Sequence, residues 1–213
     1  SLANYQRIDT QRDRFKKLSA VVHEKMLHPV RYHSACSAAS IIYPDTIDDM
    51  VRIGILQYGF WPSEETYVHY LSQKHEERNP LRRVISWKSR VMSVKSIGIG
   101  EYVGYGSTFM ASMPTTIAVV PVGYGYGYSR SLSNLGRVLI KGIRLPVIGL
   151  VNMNMLVVNT NEAPGVESGD EVVLIGSQND NSISVASFSE LSNQLNYELL
   201  TRLPSTIPRR VVD

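Results

Sequence analysis

Cysteine is almost missing from this chain, because Cys36 is the single one among 213 residues. One cysteine excludes an internal disulfide framework, and with it the small disulfide-stapled secreted scaffolds. Long apolar runs are missing as well: a stretch such as Thr116–Val122 has the length of a strand, not the roughly 20 residues that cross a bilayer. No basic stretch followed by an apolar one opens the chain as in a signal peptide. We therefore expect a cytoplasmic protein without a membrane span.

Excess charge and metal-ligand spacing are also missing. Lys and Arg number 22 against 19 Asp and Glu, and the basic residues are spread out apart from two Arg pairs. A nucleic-acid-binding β-barrel, whose tyrosines would stack on bases, therefore lacks the basic groove that it needs, and small anions are better ligands. The residues His23, His28, His69 and His75 do not show the spacing of metal ligands, so we predict no metal site.

Phenylalanine is scarce, with 4 against 12 tyrosines, and many of the tyrosines adjoin glycines. Tyr105 lies between Gly104 and Gly106, and residues 123–128 alternate glycine and tyrosine. Glycine lets the backbone turn sharply and leaves room around a ring. Phenol hydroxyls presented in this way can bind an anion or move a proton. The alternative is a set of glycine-rich turns with exposed tyrosines, and the residue pattern alone leaves both open.

The first seventy or so residues follow a β-turn-α-β rhythm, which predicts parallel strands. An amphipathic helix is expected where apolar residues between Phe15 and Met26 recur at helical spacing, and Pro29 ends it. Short strands are predicted at 30–33 and 51–53, with a turn or helix over 34–40. Two or three such units cannot close a parallel sheet with both faces covered, so we expect the last β/α units of a larger α/β domain.

The rest of the chain is rich in β-branched residues broken by Gly, Pro or Asn, which predicts a β-rich barrel or sandwich. The polar segment 72–79 separates the two parts as a linker. The predicted strands are 84–94, 116–122, 137–140, 145–151, 155–158 and 171–175, with one amphipathic helix over 188–195. We therefore divide the chain into residues 1–75, an incomplete α/β domain, and residues 76–213, a β-rich domain.

Two short motifs in the first part suit a phosphorylated ligand. In His33-Ser-Ala-Cys-Ser37, small residues precede an expected helix start, where backbone amides can bind a phosphate, although a helix cap is the commoner explanation. In Val51-Arg52-Ile53-Gly54-Ile55, an arginine within an apolar strand would need a partner, such as a structural ion pair. Gly54 would let backbone amides reach a ligand.

The chain as a whole resembles the C-terminal portion of pyridoxal-phosphate-dependent alanine racemases. Besides the two motifs above, the similarity lies in Tyr105 with its glycines and in residues 121–130, 149–155, 169–176, 196–198 and 207–209, in the family's order. The resemblance implies a TIM-type (β/α)8 barrel, of which the first part would be the end, followed by a β-rich domain. It also implies interconversion of L- and D-alanine by two-base proton transfer, which supplies D-alanine for peptidoglycan.

By this resemblance, Tyr105 is the catalytic tyrosine, which exchanges the α-proton on one face of the substrate and acts across the interface of a homodimer. Arg52 is the arginine that hydrogen-bonds the pyridine nitrogen of pyridoxal 5'-phosphate, and His33 supports that arginine. The phosphate-binding positions are Ser37, Gly54, Ile55 and Tyr197. The substrate-binding positions are Tyr124, at the entrance, and Met153, whose backbone amide contacts the substrate carboxylate.

These implied roles agree with elementary chemistry. An arginine stays protonated at any working pH, so it donates to a pyridine nitrogen without protonating it, and the ring becomes a weaker electron sink. A weaker sink favours a racemase, which returns the proton quickly, over side reactions. A tyrosine that acts as a base must ionise, and nearby cations, including Arg52 through its network, would favour that ionisation.

The largest departure from the family pattern concerns a lysine. The family's Schiff-base lysine lies in a Lys-Ala-Asn-Ala-Tyr-Gly-like context near the start of the protein, and no lysine here has that context. We therefore expect this chain to be the C-terminal part of a racemase and to be inactive alone. A separate N-terminal half that carries the lysine is an expected partner.

Smaller departures leave the substrate open. Cys36 stands where the family usually has Asn, Tyr126 replaces an Asp, and Asn152 and Asn154 replace Cys and Asp. These changes remove carboxylates near the entrance and make it more positive. The alternatives are therefore a racemase of serine or lysine, or a non-catalytic binding and dimerisation module derived from such a racemase.

Overall fold

A computed structural model describes residues 2–25, 28–74, 78–185, 188 and 196–212, with the side chains of Leu2, Ala3, Lys74, Asn196 and Tyr197 outside that description. The chain forms two compact units, Ser1–Val84 and Ile85–Asp213. No helix in the described ranges combines the length and the apolar character that a membrane crossing requires.

The first unit is helical. Its helices are α1 (Leu2–Lys25), α2 (Ala39–Ile42) and α3 (Glu64–Lys74), with 3-10 turns at Pro44–Thr46 and Ile55–Tyr58. The helix predicted between Phe15 and Met26 is confirmed as far as Lys25, as part of α1, and Met26 lies outside the described residues. Its apolar stripe is not covered within this unit, because Leu18 is 65% exposed. Polar contacts hold α1 instead: Arg12 pairs with Asp45 and stacks over the ring of Tyr43.

Two predictions in the first unit are wrong. Residues 30–33 and 51–53 do not form strands, and the described part of the unit contains one isolated parallel bridge, between Cys36 and Arg52. Two strands that lack further neighbouring strands form too few hydrogen bonds to be stable. This explains why the predicted pairing is reduced to a single bridge. Its parallel direction agrees with the predicted rhythm.

Helix α3 was not predicted, and its last residues overlap the predicted linker, residues 72–79. Ser63 precedes the helix, and its hydroxyl accepts a hydrogen bond from the backbone N–H of Thr66 at 3.3 Å. Glu64 and Glu65 occupy the first turn, where carboxylates favour a helix N-terminus. The sequence signal for this helix was therefore the Ser-Glu-Glu run after Pro62.

The second unit is an antiparallel sheet, which confirms the predicted β-rich character. Its strands are β1 (Trp87–Arg90), β2 (Ser93–Ile97), β3 (Thr115–Val120), β4 (Arg137–Ile140), β5 (Ile143–Ile148), β6 (Leu156–Asn159), β7 (Glu171–Gln178) and β8 (Asn181–Ile183). The strand order is β1-β7-β4-β5-β6-β3-β2, and β8 pairs with β7. A short helix, α4 (Asn196–Arg202), follows. The helix predicted over 188–195 falls, apart from Phe188, outside the described residues.

The sheet closes on itself through the segment Val91–Met92. Strands β1 and β2 lie at opposite ends of the strand order, yet only these two residues join them. Six flat strand spacings of about 4.8 Å would put the edges roughly 29 Å apart, which two linking residues cannot span. The N–H of Val91 donates to Asp170 O at 2.9 Å, and the N–H of Met92 donates to Val119 O at 2.8 Å, so the segment pairs with both sides.

Among the many buried side chains of the second unit, two groups bear on the site. The ring of Tyr128 is fully buried and lies 6.1 Å from Trp87 and 5.5 Å from Phe188, centroid to centroid. Burial raises the pKa of the Tyr128 phenol far above its ordinary value, so the group stays neutral. A second cluster contains Ile97, Val103, Ala111, Ile117, Ile148 and Val157, with Phe109 against it. This cluster supports the base of the loop that carries Tyr105.

Candidate active site

Tyr105 lies at the tip of a hairpin-like loop in the second unit. The loop is paired at its base by a bridge between Tyr102 and Met110, and the N–H of Val103 donates to Phe109 O at 3.0 Å. At the tip, Gly104 and Gly106 have φ values of 72° and 73°, which side-chain-bearing residues rarely adopt. The tyrosine side chain between them is 81% exposed. The glycines therefore build a turn that presents the phenol outward.

The Tyr124 turn is bound directly to the Met153 segment. The N–H of Tyr124 donates to Asn152 O at 3.0 Å, and the N–H of Gly125 donates to Met153 O at 2.8 Å. A Cβ atom on Gly123 would overlap Asn152 O and lie 2.6 Å from Met153 O. The alternating glycines are therefore required for the close approach of two backbones, and the two predicted substrate-binding residues are neighbours.

The segment Gly149–Met153 also touches the Tyr105 loop. A Cβ atom on Gly149 would lie 2.8 Å from Val103 O, and one on Gly106 would lie 3.1 Å from the Cδ1 atom of Leu150. One stretch of five residues thus contacts the loop of Tyr105 at its start and the turn of Tyr124 at its end. The structure therefore brings Tyr105, Tyr124 and Met153, predicted separately from three motifs, to one segment.

A pocket of about 490 Å³ adjoins the Tyr124 turn. It is lined by Tyr124, Gly127, Ser129, Arg130 and Arg202. Arg202 also pairs with Glu198 within helix α4. Neither Arg130 nor Arg202 was among the predicted site residues, although Arg130 ends the glycine-tyrosine motif and could have been noticed there. Two guanidinium groups make this pocket attractive to an anion.

In the first unit, Ser37 and Gly54 are hydrogen-bonded to each other. Ser37 is 3% exposed, and its hydroxyl accepts a hydrogen bond from the N–H of Gly54 at 2.9 Å. The bridge between Cys36 and Arg52, with the N–H of Arg52 donating to Ala35 O at 2.9 Å, brings the two segments side by side.

Ile55 is buried and begins the 3-10 turn that follows Gly54. The predicted phosphate-binding positions Ser37, Gly54 and Ile55 are therefore contiguous. The fourth, Tyr197, lies at the start of helix α4 in the second unit, and its side chain is outside the described part of the structure.

His33 and Arg52 differ from expectation. Arg52 is exposed, and none of the ion pairs between described residues includes it, so a buried arginine in a structural ion pair is the wrong description. The Nδ1 atom of His33 is buried and has no hydrogen-bond partner among the described residues. A hydrogen bond from His33 to Arg52 is not observed there. Both side chains therefore retain unused hydrogen-bonding capacity toward a ligand.

The comparisons with known proteins agree with both units. Residues 84–211 match the family described as "Alanine racemase, C-terminal domain", and residues 2–62 match "Alanine racemase, N-terminal domain". The chain belongs to the alanine racemase family. The resemblance seen in the motifs is thereby confirmed.

Among curated family members, the alanine racemase of Leptospira interrogans is 40% identical over 188 residues, covering 87% of this chain and 47% of that protein. The alanine racemase of Halothermothrix orenii is 35% identical over 199 residues, covering 93% and 50%. The chain therefore spans about half the length of the curated relatives it matches.

Solved family structures share the fold. The Streptomyces lavendulae alanine racemase superposes with a TM-score of 0.84 at 30% identity, covering 95% of this chain and 51% of that one. The Bacillus anthracis alanine racemase with bound L-Ala-P gives a TM-score of 0.81 at 30% identity, covering 92% and 48%. The Bartonella henselae alanine racemase, which holds covalently bound pyridoxal phosphate, gives 0.73 at 28% identity, covering 91% and 50%.

Proposed function

We propose that this chain is the C-terminal part of a pyridoxal-phosphate-dependent alanine racemase, an enzyme that interconverts L- and D-alanine. The observation that carries the proposal is the gathering of Tyr105, Tyr124 and Met153 around the segment Gly149–Met153. A proton-transferring phenol next to substrate-contacting groups is the arrangement that racemisation requires. The Bacillus anthracis relative with bound L-Ala-P supports alanine as the substrate.

The residues of the first unit fit the cofactor. The hydroxyl of Ser37 accepts the N–H of Gly54 and can still donate its own proton to a phosphate oxygen next to Ile55. The unpartnered Nδ1 atom of His33 and the exposed guanidinium of Arg52 supply further donors. When bound, pyridoxal phosphate supplies an electron-withdrawing ring that stabilises negative charge on the substrate Cα atom.

Each of these side chains has a defined task in the proposal. Ser37, Gly54 and Ile55, together with Tyr197, hold the phosphate group. Arg52 donates a hydrogen bond to the pyridine nitrogen without giving up its proton. His33 orients Arg52, and we propose that its Nδ1 atom gains its hydrogen bond when the site is filled.

The residues of the second unit act on the substrate. Tyr105 takes the α-proton on one face and returns it, which requires an ionised phenol oxygen close to Cα. Tyr124 narrows the entrance, and the amide of Met153 donates to the substrate carboxylate. Arg130 and Arg202 favour the approach of that carboxylate through their charge. The base for the opposite face lies elsewhere in the enzyme.

The proposed assembly is a homodimer in which Tyr105 of one subunit acts at the other subunit's site. Its 81% exposure supports this, because a catalytic phenol excluded from water needs a cover from outside its own unit. Ile99, Tyr102 and Met110 near the same loop are also exposed and apolar, as an interface requires. A separate N-terminal half that carries the cofactor-binding lysine remains a proposed partner.

The remaining expectations are proposals too. We propose that residues 1–75 are the end of a TIM-type (β/α)8 barrel and that residues 76–213 are the β-rich domain. We also propose that the enzyme acts in the cytoplasm and supplies D-alanine for peptidoglycan. The proposal for the β-rich domain has more support than the proposal for the barrel, because the second unit forms an eight-stranded sheet that closes on itself.

The test is α-proton exchange in D2O, followed by proton NMR, with L-alanine and D-alanine as separate substrates. We would compare the chain alone with a fusion in which it follows the N-terminal half of the Leptospira interrogans alanine racemase, both with added pyridoxal phosphate. The fusion is expected to exchange both enantiomers, and the chain alone neither. Cofactor absorbance without any exchange in the fusion would favour a non-catalytic module. Faster α-proton exchange with serine or lysine than with alanine would assign that amino acid as the substrate instead.

A further inference from the structure

We propose that Asn134 is a positioning residue for Tyr105. Its amide side chain ties the tip of the Tyr105 loop to the segment Gly149–Met153, on which Tyr124 and Met153 are assembled. The inference rests on the proposed role of Tyr105, but the physical connection does not depend on it.

Asn134 uses both ends of its side-chain amide. Its Oδ1 atom accepts a hydrogen bond of 2.6 Å from the N–H of Gly149. Its Nδ2 atom donates toward Thr108, at 3.3 Å from Oγ1 and 3.5 Å from the backbone oxygen. Thr108 directly follows the short 3-10 turn Tyr105–Ser107. The strong bond anchors the amide, and the two longer ones restrain the loop.

The tip of the loop needs such a restraint. The hydrogen bonds between the two sides of the loop reach as far as Val103 and Phe109. Beyond that point lie only the 3-10 turn Tyr105–Ser107 and two glycines with φ values above 70°. Glycine loses more conformational freedom on ordering than any other residue. Within the described residues, Asn134 supplies the side-chain hydrogen bonds that reach residues 104–108. Besides the 3-10 turn and the packing of Leu150 against Gly106, this amide is therefore what restrains the tip that carries the phenol.

The residue before Asn134, Ser133, also fixes the segment Gly149–Met153, to which the substrate-contacting residues belong or are bound. The hydroxyl of Ser133 accepts a hydrogen bond of 3.0 Å from the N–H of Val151, two residues after the contact of Asn134 with Gly149. The segment then continues to Met153, whose carbonyl oxygen binds the N–H of Gly125. A movement of Asn134 would therefore change the distance from Tyr105 to the Tyr124 turn.

The backbone at this position restricts which residues can serve. Asn134 has a φ of 59°, in the left-handed region that asparagine and glycine tolerate best. Asn134→Gly keeps this conformation and removes both ends of the amide. Asn134→Asp keeps an acceptor for the N–H of Gly149 but loses the donor to Thr108. The two variants therefore separate the anchor from the restraint.

Asn179 offers a matched control. It has a φ of 54°, lies in the turn between β7 and β8, and contacts Gly142, not the Tyr105 loop. Asn179→Gly repeats the same change of residue in the same backbone region. A general loss of stability would affect both variants, whereas loss of positioning would affect Asn134→Gly alone.

The first readout is NMR of the full chain labelled with 13C at the tyrosine Cζ atoms, in which Tyr105→Phe identifies the Tyr105 signal. We expect Asn134→Gly to shift or broaden this signal, Asn134→Asp to have a smaller effect, and Asn179→Gly to leave it unchanged. An unchanged Tyr105 signal in folded Asn134→Gly, or an equal change in Asn179→Gly, would overturn the inference. This readout decides the inference even if no racemase activity is found.

The second readout uses the fusion enzyme described above. Asn134→Gly is expected to lower kcat at least tenfold and to leave KM within about twofold, because the substrate still binds while the phenol is misplaced. A rise in KM with unchanged kcat would show that Asn134 serves binding instead and would contradict the proposal. Partial recovery of kcat in Asn134→Asp would support it.

Discussion

The α-carbon of Gly123 faces the carbonyl oxygen of Asn152 so closely that no side chain fits between them. The backbone hydrogen bond from Tyr124 to the same oxygen, 3.0 Å long, holds the two segments at this separation. The relative position of Tyr124 and Met153 is therefore a consequence of a missing side chain.

Gly123→Ala is accordingly expected to push the two segments apart and to destabilise the protein by about 1–3 kcal/mol, as overpacking does. Urea denaturation of the chain measures the loss, and the fusion enzyme should lose α-proton exchange as well. Gly98→Ala is the control, because the nearest atom to its added Cβ would be 3.8 Å away and its backbone φ is ordinary. Equal stability losses in the two variants would contradict this account.

Tyr105→Phe should leave the fold intact, since the side chain is 81% exposed. In the fusion enzyme we expect loss of α-proton exchange for one enantiomer, with the cofactor absorbance retained, because only the proton-carrying oxygen is removed. Tyr102→Phe, in the same loop and 59% exposed, is the control. Loss of cofactor absorbance in Tyr105→Phe would count against its assignment as the catalytic base.

Ser37→Ala removes the hydroxyl that accepts the N–H of Gly54. If this pair holds the phosphate, the affinity for pyridoxal phosphate should fall about 10-fold or more, as expected for a hydrogen bond to a charged group. Fluorescence titration of the cofactor into the chain measures the change. Ser19→Ala, which removes a hydroxyl bonded within helix α1 to Phe15 O, should not alter the affinity. Equal affinities of the wild-type chain and Ser37→Ala would remove Ser37 from the site.

The fully buried hydroxyl of Tyr128 has no hydrogen-bond partner among the described residues. Tyr128→Phe should therefore be neutral or stabilising by up to about 1 kcal/mol. A Cβ on Gly136 would overlap this hydroxyl oxygen and lie 3.2 Å from the Cζ atom, so Gly136→Ala should cost about 1–3 kcal/mol.

The double variant Tyr128→Phe, Gly136→Ala should recover part of that loss, and thermal unfolding of the four proteins measures the coupling. Strictly additive effects would mean that the hydroxyl is not what excludes a side chain at Gly136. A clear destabilisation by Tyr128→Phe alone would mean that the hydroxyl is hydrogen-bonded in solution.

The carboxylate of Asp45 binds Arg12 and lies 3.3 Å from Lys16. The hydrogen bond from Arg12, with a smaller contribution from Lys16, lowers the pKa of Asp45 below its ordinary value. Its contribution to stability is therefore complete above about pH 4 and is lost as the pH falls through the lowered pKa.

We expect the attachment of helix α1 to weaken in that acid range, measured by limited proteolysis between about pH 2 and pH 5, which covers the ordinary aspartate pKa and the range below it. Asp45→Asn should weaken it at every pH and reduce the dependence on pH. Asp13→Asn, which removes a different carboxylate on helix α1 itself, provides the comparison. A pH dependence that survives Asp45→Asn unchanged would assign it to other groups.

The local part of the fold followed from residue patterns. Helix α1 and the strands predicted at 137–140 and 155–158 were found because helical spacing and β-branched runs are properties of neighbouring residues. The failed strands at 30–33 and 51–53 have the same local character, but their pairing needs strands on both sides. The Arg130–Arg202 pocket was missed because its two arginines lie far apart in the sequence and meet only through the fold.

By itself, the sequence determined the family and the turns. The glycines on both sides of Tyr105 allow the positive φ values of that turn, since only glycine adopts those dihedral angles freely. The tertiary structure alone decided that the Tyr105 loop and the Tyr124 turn share the segment Gly149–Met153, and that Asn134 links them. These contacts join residues that are distant along the chain, and their formation depends on a closed sheet that brings the loops together, which no local preference specifies.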